Sequence, residues 1–302
     1  MAKETKKALE KKNWISSFVI VGEAKVNDYT FKMDQKSDKS DWVYNTLNLG
    51  VFAGEKHGTI YTEMMGGYGV ERDNVIYVHG KKEDGKDDFE NRFTIDWDDR
   101  FNEDVLEEIG EMCFLTVGLE KDKKDKVFYK KFLSPYDAIA YIKENITDGT
   151  VVNVKGNLEY SVYQNNVNVK KRITSIALSK AEDASKYHAN FTQTMLLTKD
   201  SVGKPDKDKG IIPIHAKILE YAKEYNGKLV KQFIPLNKTF DYEVDLTNRE
   251  LVEKVIAKVF KVKKGVTEIT FEGDFIEGGV LVTATEDDIP QDIKDLIEIG
   301  AY

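Results

Sequence analysis

Val152-Asn153-Val154-Lys155-Gly156-Asn157-Leu158 and Ile269-Thr270-Phe271-Glu272-Gly273-Asp274-Phe275 follow one pattern. In each stretch apolar residues alternate with polar ones around a glycine in the same slot. A period of two puts Val152, Val154, Gly156 and Leu158 on one face of a strand and Asn153, Lys155 and Asn157 on the other. Glycine in that slot lets a strand bend hard or approach another backbone. Small closed sheets need such corners, because a short sheet must coil to meet itself.

Outward from these stretches, the surroundings also repeat. Each begins a predicted hairpin: Thr150–Tyr163 with Val167–Ser179, and Val266–Ile276 with Val280–Thr285 turning at Gly278-Gly279. A helix precedes each. Over Ser134–Ile146, Ser134 can N-cap, Pro135 takes the first helical position, and Ala138, Ile139, Ile142 and Ile146 share a face. Thr247–Val262 carries a Thr247…Glu250 capping box. Strands come before the helices: Ile15–Val26, Trp42–Ala53 and Thr59–Met65, then Ala189–Thr198 and Lys228–Leu236. Ile211–Tyr225 is ambiguous, strand-like at Ile211–His215 and open to helix from Lys217. Gly66-Gly67-Tyr68-Gly69 reads as a break in the strand pattern. The charged stretch that follows it reads as an insertion. Three strands, a helix that plugs the barrel end and two more strands is the OB order. The expected fold is therefore mainly β with helices: two tandem OB-type β-barrels over residues 13–181 and 188–285. The first carries a large insertion at about 66–133, and an acidic tail occupies 286–302.

A chain of 302 residues suits two domains, and 41% hydrophobic with 32% charged residues suits globular cores rather than a disordered tail. No stretch approaches the roughly 20 apolar residues of a membrane span, and Met1–Lys12 lacks the apolar segment of a secretory signal. A cytoplasmic location, of a host cell if the gene is phage-borne, is expected. The single cysteine, Cys113, reads as buried and inert. The net charge of −8 looks unfavourable for nucleic acid. However, Lys81–Asp125 alone carries −8 and Glu286–Tyr302 carries −5, which leaves +5 for the rest of the chain. Net charge governs solubility and steering, not what one face binds.

Gly149–Leu178, with its V-x-V-x-G-x-L core and long polar hairpin, resembles the same region of bacterial and phage OB-fold single-stranded DNA-binding proteins. The acidic end also resembles theirs, but it lacks a terminal Pro-Phe and spaces Ile293, Leu296, Ile297 and Ile299 as a helix would. The resemblance implies a non-enzymatic, sequence-tolerant single-stranded DNA-binding protein of phage replication or recombination, with RNA as a second possible ligand. It also implies replication partners bound through the tail at Asp288, Ile293, Leu296 and Ile297.

Single strands are held by cations on the backbone and flat side chains under the bases. The hairpin supplies Lys155, Lys170, Lys171 and Arg172 with Tyr160 and Tyr163, against one acid, Glu159. Trp42, Tyr44 and Tyr61 stand on the expected second and third strands, and Lys217, Lys228 and Lys231 are their counterparts in the second module. The four histidines are scattered without metal-ligand spacing, and no phosphate-cradling loop is present, so no cofactor or metal is expected. Two alternatives stay open. One is an OB-fold protein-interaction or assembly protein without nucleic-acid binding. The other is a metal-dependent nuclease using Asp96, Asp98 and Asp99.

Overall fold

A computed structural model of the chain describes residues 14–71, 75–163, 166–181, 183–225 and 228–276. The protein is mainly β, with twelve strands in one large sheet and two in a small one.

The first repeat is built from β1 (Ser16–Lys25), β2 (Phe31–Lys36), β3 (Trp42–Phe52) and β4 (Thr59–Gly69). After the insertion come α2 (Pro135–Asn145), β9 (Val151–Tyr163) and β10 (Asn166–Leu178). Ser134 caps α2 by accepting from the Tyr136 amide, and Ala138, Ile139 and Ile142 are buried as the spacing predicts. The pairings lead from β1 through β3, β4, β10 and β9 back to β1, all antiparallel except the β4–β10 contact at Glu63 and Arg172. Inside lie Phe18, Ile20, Leu47, Leu49, Val51, Val152, Val154 and Leu158, joined by α2.

The second repeat contains β11 (His188–Leu197), β12 (Ile211–Tyr225), β13 (Lys228–Glu243), α3 (Arg249–Val255) and β14 (Thr267–Asp274). β11 pairs with β12 at one end and with β14 along its length, as β1 does with β3 and β9. The expected last strand, Val280–Thr285, lies outside the described residues.

The glycine of the repeated stretch has the same job twice. Gly156 pairs with Phe18, and Gly273 pairs with Phe191. A Cβ on Gly156 would sit 2.7 Å from the Phe18 ring, and one on Gly273 would sit 2.6 Å from the Phe191 ring. Each glycine makes room for an aromatic ring laid across the strand. β1 and β11 also pair with each other, Phe18 against Phe191 and Ser16 against Gln193. Phe18 and Phe191 correspond and face one another, and the pair Ser16–Gln193 is mirrored by Ala189–Ile20, as in a local two-fold.

Several expectations are corrected. Gly66–Gly69 continues β4 rather than breaking it. Its glycines are there for clearance: a Cβ on Gly67 would meet the Val43 carbonyl oxygen at 2.0 Å, and one on Gly66 would meet Pro135 at 2.7 Å. Ile211–Tyr225 is strand throughout, because it pairs with β13 along its whole length and that ladder outweighs local helix preference. Thr247 does not begin the helix. It donates to Asp245, and α3 starts at Arg249 and widens over Ile256–Phe260. The region read as one insertion divides. β5 (Val75–Lys81), β6 (Asp87–Asp96) and the short α1 (Glu103–Glu108) enclose a small core of Val78, Ile95, Ile109 and Leu133. β7 (Leu115–Lys121) and β8 (Val127–Phe132) instead extend the large sheet beyond β10. Among the described residues, no helix is long and apolar enough to cross a membrane.

Candidate nucleic-acid interface

Strand alternation builds the first face. On β3, Asn45, Leu47, Leu49 and Val51 turn inward and are buried, so Tyr44, Thr46 and Asn48 face outward. Across β4 their partners are Gly67, Met65 and Glu63, and Gly50 pairs with Tyr61. With only glycine opposite it, Tyr61 is 68% exposed, its ring edge 3.3 Å from the Cβ position of Gly50. Trp42 and Tyr44 are half-buried on the same strand, beside Gly69 and Gly67.

The β4–β10 contact brings the cationic hairpin alongside. Glu63 Oε1 lies 3.3 Å from both Lys170 Nζ and Arg172 Nη1, and Arg172 Nε is 2.9 Å from Glu159. Lys155 is exposed on the outer side of β9 with Asn157 and Glu159. Tyr61, Lys155, Lys170 and Arg172 therefore share an outer face crossing β4, β10 and β9. The sequence shows Glu159 as the hairpin's acid, but Glu63 enters only through the fold.

Two hairpin residues do not join this face. Tyr160 is buried, and its hydroxyl donates to Gln193 Oε1 at 3.1 Å. Burial and the nearby Glu220 charge push its phenol pKa up. It shares parity with Val152, Val154 and Leu158, so it is a core residue and cannot stack on a base. Lys171 points to the opposite side from its neighbours, with its ammonium 5.2 Å from the centre of the Phe275 ring. Burial, then repulsion from Lys238, holds its pKa below the usual lysine value. Tyr163 stands at the end of β9 and Lys228 at the start of β13; their side chains lie outside the described residues. So do the tail residues Asp288, Ile293, Leu296 and Ile297.

In the second repeat Lys217 donates to Asn237 Oδ1 at 2.9 Å, and His215 Nδ1 lies 3.0 Å from Thr239 Oγ1. These residues line an open cleft of about 780 Å³ with Lys199, Asp200, Lys238, Lys263 and Lys264. Lys199, Lys238, Lys263 and Lys264 were not singled out in the sequence, where they look like solvated charge between elements. Lys231 is exposed on a left-handed backbone (φ 43°) and is not part of the cleft.

The insertion brings Cys113 to His79, with Sγ 3.1 Å from Nδ1 and 3.7 Å from Nε2. The sulfur also approaches the backbone of His79, 3.4 Å from its amide nitrogen and 3.8 Å from its carbonyl oxygen. His79 Nε2 lies 2.8 Å from Asp87, whose pKa is lowered by the Met112 amide first and His79 second. Asp98 and Asp99 lie in a tight turn whose Arg100 bonds Asp137 and covers Trp97. No three His, Cys, Asp or Glu residues are grouped to hold a metal among the described residues.

A family model described as YorF matches residues 74–294, well over half of the chain, and the chain belongs to that family. No curated protein matches it.

Proposed function

We propose that this YorF-family protein binds single-stranded DNA with little regard to sequence, through two OB-type modules. The single observation that carries the reading is one outer face that holds exposed Tyr61, two residues from the Glu63 that meets Lys170 and Arg172, together with exposed Lys155. A flat ring can take a base from one side while the cations follow the backbone. The circuit of pairings through β1, β3, β4, β10 and β9, with α2 between β4 and β9 in sequence, supports the OB reading of the first repeat. The register match between repeats supports extending it to the second. A setting in phage replication or recombination follows from the sequence resemblance alone.

The ion pairs of Glu63 and Glu159 favour one rival, a protein-binding face whose charges are already balanced. Fluorescence titration with oligo-dT separates the two. A single strand should bind at low salt and weaken as salt rises. Lys155 alone would contribute a slope of about −0.7 in log affinity against log salt, reaching about −2 where Lys170 and Arg172 also leave their glutamates for phosphate. Tyr61→Ala should weaken binding by roughly 1–3 kcal/mol, the value of one stacked base, at an unchanged melting temperature. Absence of binding at low salt would remove the proposal.

A further inference from the structure

The cleft of the second repeat differs in kind from the first face. It gathers Lys199, Lys217, Lys238, Lys263 and Lys264 against one carboxylate, Asp200, and none of these lysines has an ion-pair partner among the described residues. The first face has the reverse character, with Lys170 and Arg172 tied to glutamates.

Strand register puts the two sites in corresponding places. Leu196 pairs with Lys217 where the first repeat pairs Glu23 with Phe52. Counting along the ladders, His215 and Thr239 then pair at the position of Gly50 and Tyr61. The second repeat has threonine where the first has the exposed tyrosine. No aromatic side chain other than His215 lines the cleft.

We propose that this cleft is a binding site for linked phosphate groups, one that grips their charge and does not read bases. Lysine ammonium groups bind phosphate as compact point charges and need no planar partner. Lys217, with Asn237 holding its Nζ at 2.9 Å, has an oriented ammonium, and Thr239 adds a hydroxyl. Lys238 also stands near Lys171, whose pKa is lowered by burial first and by Lys238 second, so this side of the repeat carries more positive charge than the one lining carboxylate, Asp200, can balance. An opening of about 780 Å³ has the size of a ligand site. The phosphates can belong to a DNA backbone or to a free polyphosphate chain. The DNA assignment rests on the function proposed above; phosphate binding itself does not.

The test is calorimetric titration of the full chain at low salt with inorganic tripolyphosphate and, separately, with oligo-dT. The wild type should bind tripolyphosphate, and Lys217→Gln with Lys264→Gln should weaken that binding at least tenfold with an unchanged melting temperature. If the cleft holds the DNA backbone, the double variant's salt slope for oligo-dT should also become shallower by about 1.4, the value of two phosphate contacts. A tripolyphosphate loss with an unchanged DNA slope assigns the cleft to free polyphosphate. Tripolyphosphate binding without any oligo-dT binding upholds the cleft while removing the DNA reading. No tripolyphosphate binding by the wild type, or binding that the double variant retains in full, overturns the site.

Discussion

Glu63→Gln should strengthen single-strand binding, although it removes two ion pairs. Glu63 Oε1 is 3.3 Å from Lys170 Nζ and from Arg172 Nη1, and both cations are partly open to solvent. In the free protein the carboxylate competes with phosphate for the same two groups. Partly exposed pairs are worth about 0.5–1 kcal/mol each, so neutralising Glu63 releases roughly 1–2 kcal/mol of competition. That corresponds to a gain of about five- to thirtyfold in affinity at low salt. Two freed cations should steepen the salt slope by up to about 1.4 on a single strand. The same loss should cost the fold up to about 2 kcal/mol, visible in urea melts. The assay is an oligo-dT titration of both proteins at several salt concentrations. Equal or weaker binding by Glu63→Gln at an unchanged slope would refute the idea that these cations meet phosphate.

Two further predictions concern the scaffold. Gly156→Ala should destabilise more than Gly273→Ala. The new methyl of the first meets the Arg172 carbonyl oxygen at 1.8 Å, which is backbone that must move, whereas that of the second meets the Phe191 ring, which can swing. Overpacking of this kind costs about 1–3 kcal/mol, so thermal melts should rank wild type above Gly273→Ala and Gly156→Ala last. Lys171→Met should raise stability at neutral pH. The folded lysine has a pKa depressed by burial and by Lys238, so its proton is held less tightly than in the unfolded chain. Wild-type stability therefore gains as pH rises through the folded pKa toward 10.5, and the variant lacks that gain. Urea melts from neutral to alkaline pH should show the variant's advantage shrinking; parallel curves would contradict the assignment.

Local rules made the repeat legible. Alternation around Gly156 and Gly273 is a feature of seven-residue stretches, and the structure lays Phe18 and Phe191 across those two glycines. The α2 cap and face were likewise local. What escaped depends on distant chain. Gly66–Gly69 looks like a flexible turn until Val43 and Pro135 press against it. The ambiguity of Ile211–Tyr225 is resolved only by β13. Tyr160 belongs to the cationic hairpin, but its parity with Leu158 places it inside. Glu63, far from the hairpin in sequence, neutralises cations that looked free. The cleft lysines come from four separate segments, so no local pattern gathers them.

The central claim is that single-stranded DNA lies on the face of Tyr61, Lys155, Lys170 and Arg172. Photocross-linking of a bromodeoxyuridine oligonucleotide to the full chain, followed by peptide mapping, tests this most directly. The account predicts adducts on the β4 peptide containing Tyr61 and on the hairpin peptides from Lys155 to Arg172, suppressed by excess oligo-dT. Adducts confined to β5–β8, or none on β4 and the hairpin while the DNA remains bound, would contradict it.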